Sequence, residues 1–295
     1  MTSVTGVVAL SIISGVLWGI GPIFSKLGMV RGGQPRRATL IVLLVGATVF
    51  WALSLARGTV HSLVTQLPIQ TISIFAISGV IGTSMAWLLW FRGIKWVGAS
   101  VSNVLFYTQP LFAALLAALT LGENLTPTTI TGVVLIVSGV GLLSLSGSTN
   151  LQSRASTALL FPLAAAVFAA VSNVLNRFGF QTSAATPLEA ATINLTSALP
   201  LVVGHTLMFH TDAITTPSPS DMYFVGSGLA NAAAVFTMFT ALSNGPVVIV
   251  APLVSTSPLF TTALAYVVLT DVENVTSRTI VSALLTVLGA AITAF

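Results

Sequence analysis

No charged side chain interrupts residues 222 to 270, a run about twice the ~20 residues that one membrane-spanning helix needs. Such a stretch has no side with which to face water, so it must be divided into two spans. Asn244-Gly245-Pro246 supplies the turn chemistry that divides it. The rest of the chain follows the same rule. Of 295 residues, 55% are hydrophobic and 5% charged, with a mean hydropathy of +1.01, against about 25% charged residues in a soluble domain. These values predict an all-α integral membrane protein whose surface partner is the lipid bilayer.

Apolar runs between charges and turn signals give ten spans: 4–29, 39–56, 69–91, 97–121 and 128–145, then 158–180, 188–209, 222–243, 247–270 and 279–295. Between the two sets lies a Gly/Ser/Thr/Asn-rich break at 146–156. The first span is too long for a removable signal peptide and lacks its basic start, so it is expected to be retained.

The two sets are copies. Shifted by about half its length, the chain places Pro110-Leu111-Phe112 on Pro258-Leu259-Phe260, Leu116-Ala117 on Leu264-Ala265 and Glu123 on Asp271. A two-residue slip then sets Glu123-Asn124-Leu125-Thr126 on Glu273-Asn274-Val275-Thr276. A fainter echo joins 15–29 to 166–180, with Lys26 on Arg177 and Gly28 on Gly179. The repeats are therefore 1–147 and 154–295. Five spans is an odd number, so the second repeat enters the membrane in the opposite sense: ten transmembrane helices as two inverted five-helix repeats. Proline clashes with the carbonyl four residues back, which predicts helix kinks at Pro110 and Pro258. Paired irregular helices in the two halves point to a pocket near the bilayer midplane at the repeat interface.

These residues resemble the drug/metabolite transporter superfamily, specifically its ten-helix EamA-type exporters. The likeness is carried by Leu17-Trp18-Gly19 followed by Lys26, by the Pro110 helix ending at Leu121-Gly122-Glu123, by the 132–141 stretch, and by their second-half echoes. It departs at Ala169-Ala170, where the second half lacks the Trp-Gly of the first, and at the stretched Asp271-Val272-Glu273. The resemblance implies a secondary transporter in the cell membrane, multi-pass, exporting a small metabolite or drug-like solute by alternating access. It does not specify the solute. A non-transporting membrane scaffold or receptor subunit is the alternative, and the chain is expected to be a monomer or homodimer.

Inside the spans the available chemistry is uncharged. Asn103, Tyr107 and Pro110 fall at i, i+4 and i+7 and share one face of the fourth span, with Gln109 adjacent. Span six offers Ser172, Asn173 and Asn176, span seven Asn194, span eight Asn231 and span nine Ser255, Thr256 and Ser257. With Trp18 from span one, the candidate substrate-binding set is Trp18, Asn103, Tyr107, Gln109, Asn173, Asn176, Asn231 and Ser255. Each alone also serves as hydrogen-bonding glue between helices. Tyr107 aligns with Ser255 and Asn103 with Ala251, so the pocket is expected to be lopsided. Trp87 adds aromatic surface, whereas Trp90 and Phe91 near a span end read as membrane-interface anchors. Dense small residues such as Gly15, Gly19, Gly79, Gly82, Gly132, Gly139 and Gly141 read as helix packing sites.

Charge sits elsewhere. Glu123, Glu189, Asp212, Asp221, Asp271 and Glu273 fall at helix ends or in loops, leaving no central carboxylate for a proton relay. Lys26 and Arg177 either snorkel to headgroups or reach a substrate carboxylate or phosphate. No catalytic set is present: His205 and His210 are five apart, not the i, i+4 spacing of two ligands on one helix face, and there is no cysteine. The chain is thus expected not to be an enzyme and to hold no cofactor or metal. Its net charge of +4 comes from basic residues at helix ends, the signature of headgroup contact rather than of a nucleic-acid partner. Eight of them (Lys26, Arg31, Arg36, Arg37, Arg92, Lys95, Arg154 and Arg278) lie on the face opposite the N-terminus, against Arg57 and Arg177 on the other. By the positive-inside rule that face is cytoplasmic, whereas the family resemblance places the termini there.

Overall fold

Apolar helices that must satisfy their own backbone in lipid stack into a bundle. The computed structural model describes residues 4–97, 99–145, 156–209, 218–268 and 277–294. Arg154, His210, Asp212, Asp271, Glu273 and all but the last residue of the 146–156 break lie outside the described residues. Thirteen α-helices occupy the described chain: α1 Val4–Val30, α2 Pro35–Ala56, α3 Ile69–Ser78, α4 Ala86–Val97, α5 Ala99–Phe106, α6 Gln109–Leu121, α7 Pro127–Leu145, α8 Leu160–Thr182, α9 Pro187–Phe209, α10 Asp221–Asn244, α11 Val247–Val254, α12 Ser257–Val268 and α13 Ser277–Ala294.

They form ten spans. A π-helical segment, Gly79–Met85, joins α3 to α4 into one span. The pairs α5–α6 and α11–α12 make one span each. The kinks expected at Pro110 and Pro258 are outright breaks, and they fall just ahead of the prolines, at Tyr107-Thr108 and Ser255-Thr256. Each proline then sits in the first turn of a new helix, where its missing N–H costs nothing. The shortest spans, α7 and α13, have 19 and 18 residues, within the range of about 17–25 residues that cross a bilayer.

The packing repeats itself under exchange of the two halves. Helix α1 lies against α10 and α12, and its counterpart α8 lies against the α3–α4 span and α6. The pairs α2·α9 and α7·α13 each join equivalent spans. Small residues make these approaches close. A β-carbon on Gly289 would lie 2.6 Å from the Gly132 carbonyl oxygen and 2.7 Å from the Ile136 nitrogen, and one on Gly19 would lie 2.8 Å from Phe260 Cβ. Gly141 differs, with only Val104 near it at 3.8 Å. Hydroxyls add interhelical bonds: Ser14 donates to the Ala234 carbonyl at 2.9 Å, and Trp51 Nε1 to Thr196 Oγ1 at 2.9 Å.

Two apolar clusters concentrate on the face where α1 begins. One joins Val7 to Ala113, Ala117, Val174, Leu242, Val247 and Val250. The other joins Phe50, Phe75, Leu188, Leu195 and Phe239. Together they fill that half of the bundle.

Candidate functional site

Above those clusters the bundle encloses a cavity of about 440 Å³, within the roughly 300–1,000 Å³ usual for small-molecule sites. Its floor is at mid-membrane, where Tyr107, Gln109, Ser255 and Ser257 come from the two helix breaks. Its walls reach Met29, Ala38 and Phe91, so it opens toward the face opposite the start of α1. Both repeats contribute.

Seven of the eight candidate binding residues line this cavity: Trp18, Tyr107, Gln109, Asn173, Asn176, Asn231 and Ser255. The eighth, Asn103, stands behind the lining, where its Oδ1 accepts a 3.1 Å bond from Trp90 Nε1. Trp90 and Phe91, expected at the membrane interface, line the cavity instead. The cause is that bond together with ring contacts, since Trp90 lies 5.0 Å from Phe91 and 5.6 Å from Phe106 between centroids. Trp96, five residues beyond Phe91 and 57% exposed, is placed as an interface anchor would be.

The two breaks touch. Tyr107 of the first break lies beside Ser257, the first residue of α12 in the other repeat.

A buried polar network sits beside the π-helical segment. Ser78 donates to Asn176 Oδ1, Asn194 Nδ2 donates to Ser78 Oγ at 2.8 Å, and Thr83 donates to Asn194 Oδ1 at 3.0 Å. Ser172 donates to the Ser78 carbonyl at 3.0 Å. Asn176 and Asn194 are thus committed to holding α8 and α9 against α3, while also facing the cavity. Sequence reading noted Asn194 but not the π-helical segment, whose residues are as apolar and as helical in period as their neighbours. Asn173 and Gln109 have no hydrogen-bond partner among the described residues, and Asn231 Oδ1 is buried without one, pressed over Gly21.

Every acid among the described residues serves a helix N-terminus, where partial positive charge favours it. Glu189 accepts from the Thr186 N–H and hydroxyl at 2.8 and 2.9 Å, forming a capping box on α9. Asp221 accepts from the Ser218 N–H at 2.9 Å and takes a two-bonded contact from Arg37, 2.6 Å on each arm, tying α10 to α2 on the open face. Glu123 crosses between repeats. Gly122, in the left-handed conformation at φ 66°, ends α6 and turns the chain. Glu123 then accepts from the N–H groups of Val247 and Val248 at 2.9 and 3.0 Å, at the start of α11.

Arg177 completes that arrangement. Its Nη1 donates to the Leu242 carbonyl at 2.8 Å, closing α10, and its Nε lies 3.9 Å from Glu123 Oε1. The Glu123 and Arg177 side chains are 6% and 17% exposed. Neither Arg177 nor Lys26 lines the cavity. Arg177 belongs to the sealed end.

Residues 5–145 and again 156–295 match the EamA-like transporter family. Over 62 residues the chain is 40% identical to the permease-like protein YdzE of Bacillus subtilis (strain 168), which covers 21% of this chain and 80% of that protein. Over 158 residues it is 29% identical to the uncharacterized transporter YwfM of the same organism, half of each chain. A solved crystal structure superposes with a TM-score of 0.81 over 98% of this chain and 96% of the other at 22% identity, a likeness of fold.

Proposed function

The chain belongs to the EamA-like transporter family, and from that premise we propose that it exports a small solute across the cell membrane by alternating access. Membrane transport is the family's role, and two repeats of five spans are its architecture. The observation that carries the finer reading is the asymmetry of the cavity. It is reached from one face, while the other is closed by the Val7–Val250 cluster and by Glu123 at the head of α11. Pseudo-symmetric repeats can exchange that asymmetry by rocking, which is how inverted repeats present one site to two sides in turn. The outward direction rests on the likeness to exporters, and the units that rock are taken as 1–147 and 154–295.

Purified protein in liposomes tests the proposal. Saturable counterflow of at least one labelled compound from a panel of amino acids, nucleosides and drugs is the expected result. Movement of none would favour a scaffold or receptor subunit. Once a transported aromatic solute is in hand, Asn103→Ala is expected to weaken its binding several-fold, because Trp90 loses the bond that holds its ring, about 0.5–1.5 kcal/mol. Unchanged affinity with normal stability would remove Trp90 positioning from the site.

A further inference from the structure

We infer that this cavity selects a planar solute that carries no ionised group and presents neighbouring hydrogen-bond donor and acceptor atoms, the chemistry of an uncharged heteroaromatic amide or lactam. The inference rests on the cavity being the substrate site. Three observations carry it.

First, no Asp, Glu, Lys, Arg or His lines the cavity among the described residues. A charged group moved from water into such a site needs a counter-charge or a full set of hydrogen bonds. The first turns of α6 and α12 reach the cavity at Gln109 and Ser257, and a helix N-terminus offers partial positive charge. Each of those turns has given up one N–H to proline, at Pro110 and Pro258. What remains suits a carbonyl oxygen better than a carboxylate or phosphate.

Second, aromatic rings gather on the walls, among them Trp18, Trp87, Trp90, Phe91, Phe106 and Tyr107. Several are fixed by one another or by Asn103, which prepares flat faces for stacking at little ordering cost.

Third, three carboxamides are uncommitted. Asn173, 7% exposed, has no hydrogen-bond partner among the described residues, and neither has Gln109. Asn231 keeps Oδ1 buried without a partner. Asn176 and Asn194, by contrast, are tied to Ser78. Asn173 and Gln109 each carry donors and an acceptor on one planar group, and Asn231, whose Oδ1 is pressed against Gly21, adds its Nδ2 donors; leaving such groups unsatisfied is costly. They come from α6, α8 and α10, so the solute they read bridges both repeats.

Matched pairs that share a ring and differ in charge test this. Calorimetric binding to the purified wild-type protein would compare uracil with orotate, nicotinamide with nicotinate, and indole-3-acetamide with indole-3-acetate. At least one uncharged member is expected to bind, at least tenfold more tightly than its charged counterpart. Asn173→Leu is expected to weaken that binding at least fivefold with an unchanged melting temperature, and Asn231→Leu provides the same reading should the first variant not fold. Equal or tighter binding of the charged members, or no binding by any uncharged one, overturns the inference. Counterflow separates it from the transport reading. Binding of an uncharged member without movement leaves the selectivity and removes the carrier, whereas counterflow of orotate or indole-3-acetate alone leaves the carrier and removes the selectivity.

Discussion

Removing the Glu123 carboxylate is expected to unseal the closed face. In Glu123→Ala the Val247 and Val248 N–H groups lose their acceptor at the start of α11, and the Arg177 guanidinium loses its neighbouring anion. Charge-assisted bonds of this kind contribute roughly 1.5–3 kcal/mol, and stripping one partner from a buried pair costs more. Here the ion pair is long at 3.9 Å and Arg177 keeps the Leu242 and Ser243 carbonyls, so about 2 kcal/mol is the expected loss, a roughly 30-fold shift in the sealed–unsealed equilibrium. The absence of cysteine gives a clean reporter. Val250→Cys places a thiol in the seal, where Val250 is buried. A water-soluble maleimide should label it about 30-fold faster on the Glu123→Ala background than on the parent. Glu123→Gln, which retains one acceptor, should fall between. Equal labelling rates in all three, with equal melting temperatures, would show that the seal is held by the apolar cluster alone.

The second large effect is expected at Gly79, where the π-helical segment begins. A β-carbon there would collide with the backbone carbonyl of Asn194 and with the Ser197 hydroxyl. The carbonyl belongs to the α9 backbone and cannot rotate away, so Gly79→Ala must push α9 outward. That displaces Asn194 from Ser78 and Thr83. Overpacking costs about 1–3 kcal/mol, and a backbone collision combined with a broken polar network places this variant near the top of that range. Gly141→Ala is the control, because its nearest neighbour is at ordinary contact distance. Thermal melts in one detergent check both. A Gly79→Ala protein as stable as the Gly141→Ala protein would mean that α3 and α9 can separate without cost.

Which features were legible from sequence follows from the distance over which each is decided. The ten spans were, and so was the irregularity of the two proline helices, though as kinks at Pro110 and Pro258 rather than as breaks ahead of them, because apolar run length and proline act within a few residues. The cavity residues were largely legible as well, since an Asn or Gln inside a span has few places to go. Trp90 and Phe91 were misplaced because a tryptophan near a span end obeys the interface rule unless something holds it inward, and that something is Asn103 on the next span. Glu123 was read as a residue at a helix end, which it is. Its partners lie 124 and 125 positions away at the start of α11, and no local pattern announces them. Lys26 and Arg177 are equivalent under the repeat yet differently placed, because a bundle closed on one face and open on the other breaks the symmetry that its sequence retains.

The placement of every described acid at a helix N-terminus has an electrical consequence. Moving one elementary charge through a membrane potential of 100 mV involves about 2.3 kcal/mol, so a carrier with an ionised group in its cavity is driven or retarded by voltage. The lining here holds no such group among the described residues, and the Glu123–Arg177 pair is neutral as a unit. With an uncharged solute, neither the loaded nor the empty transit moves net charge through the field. The movement of such a solute would then be indifferent to the membrane potential.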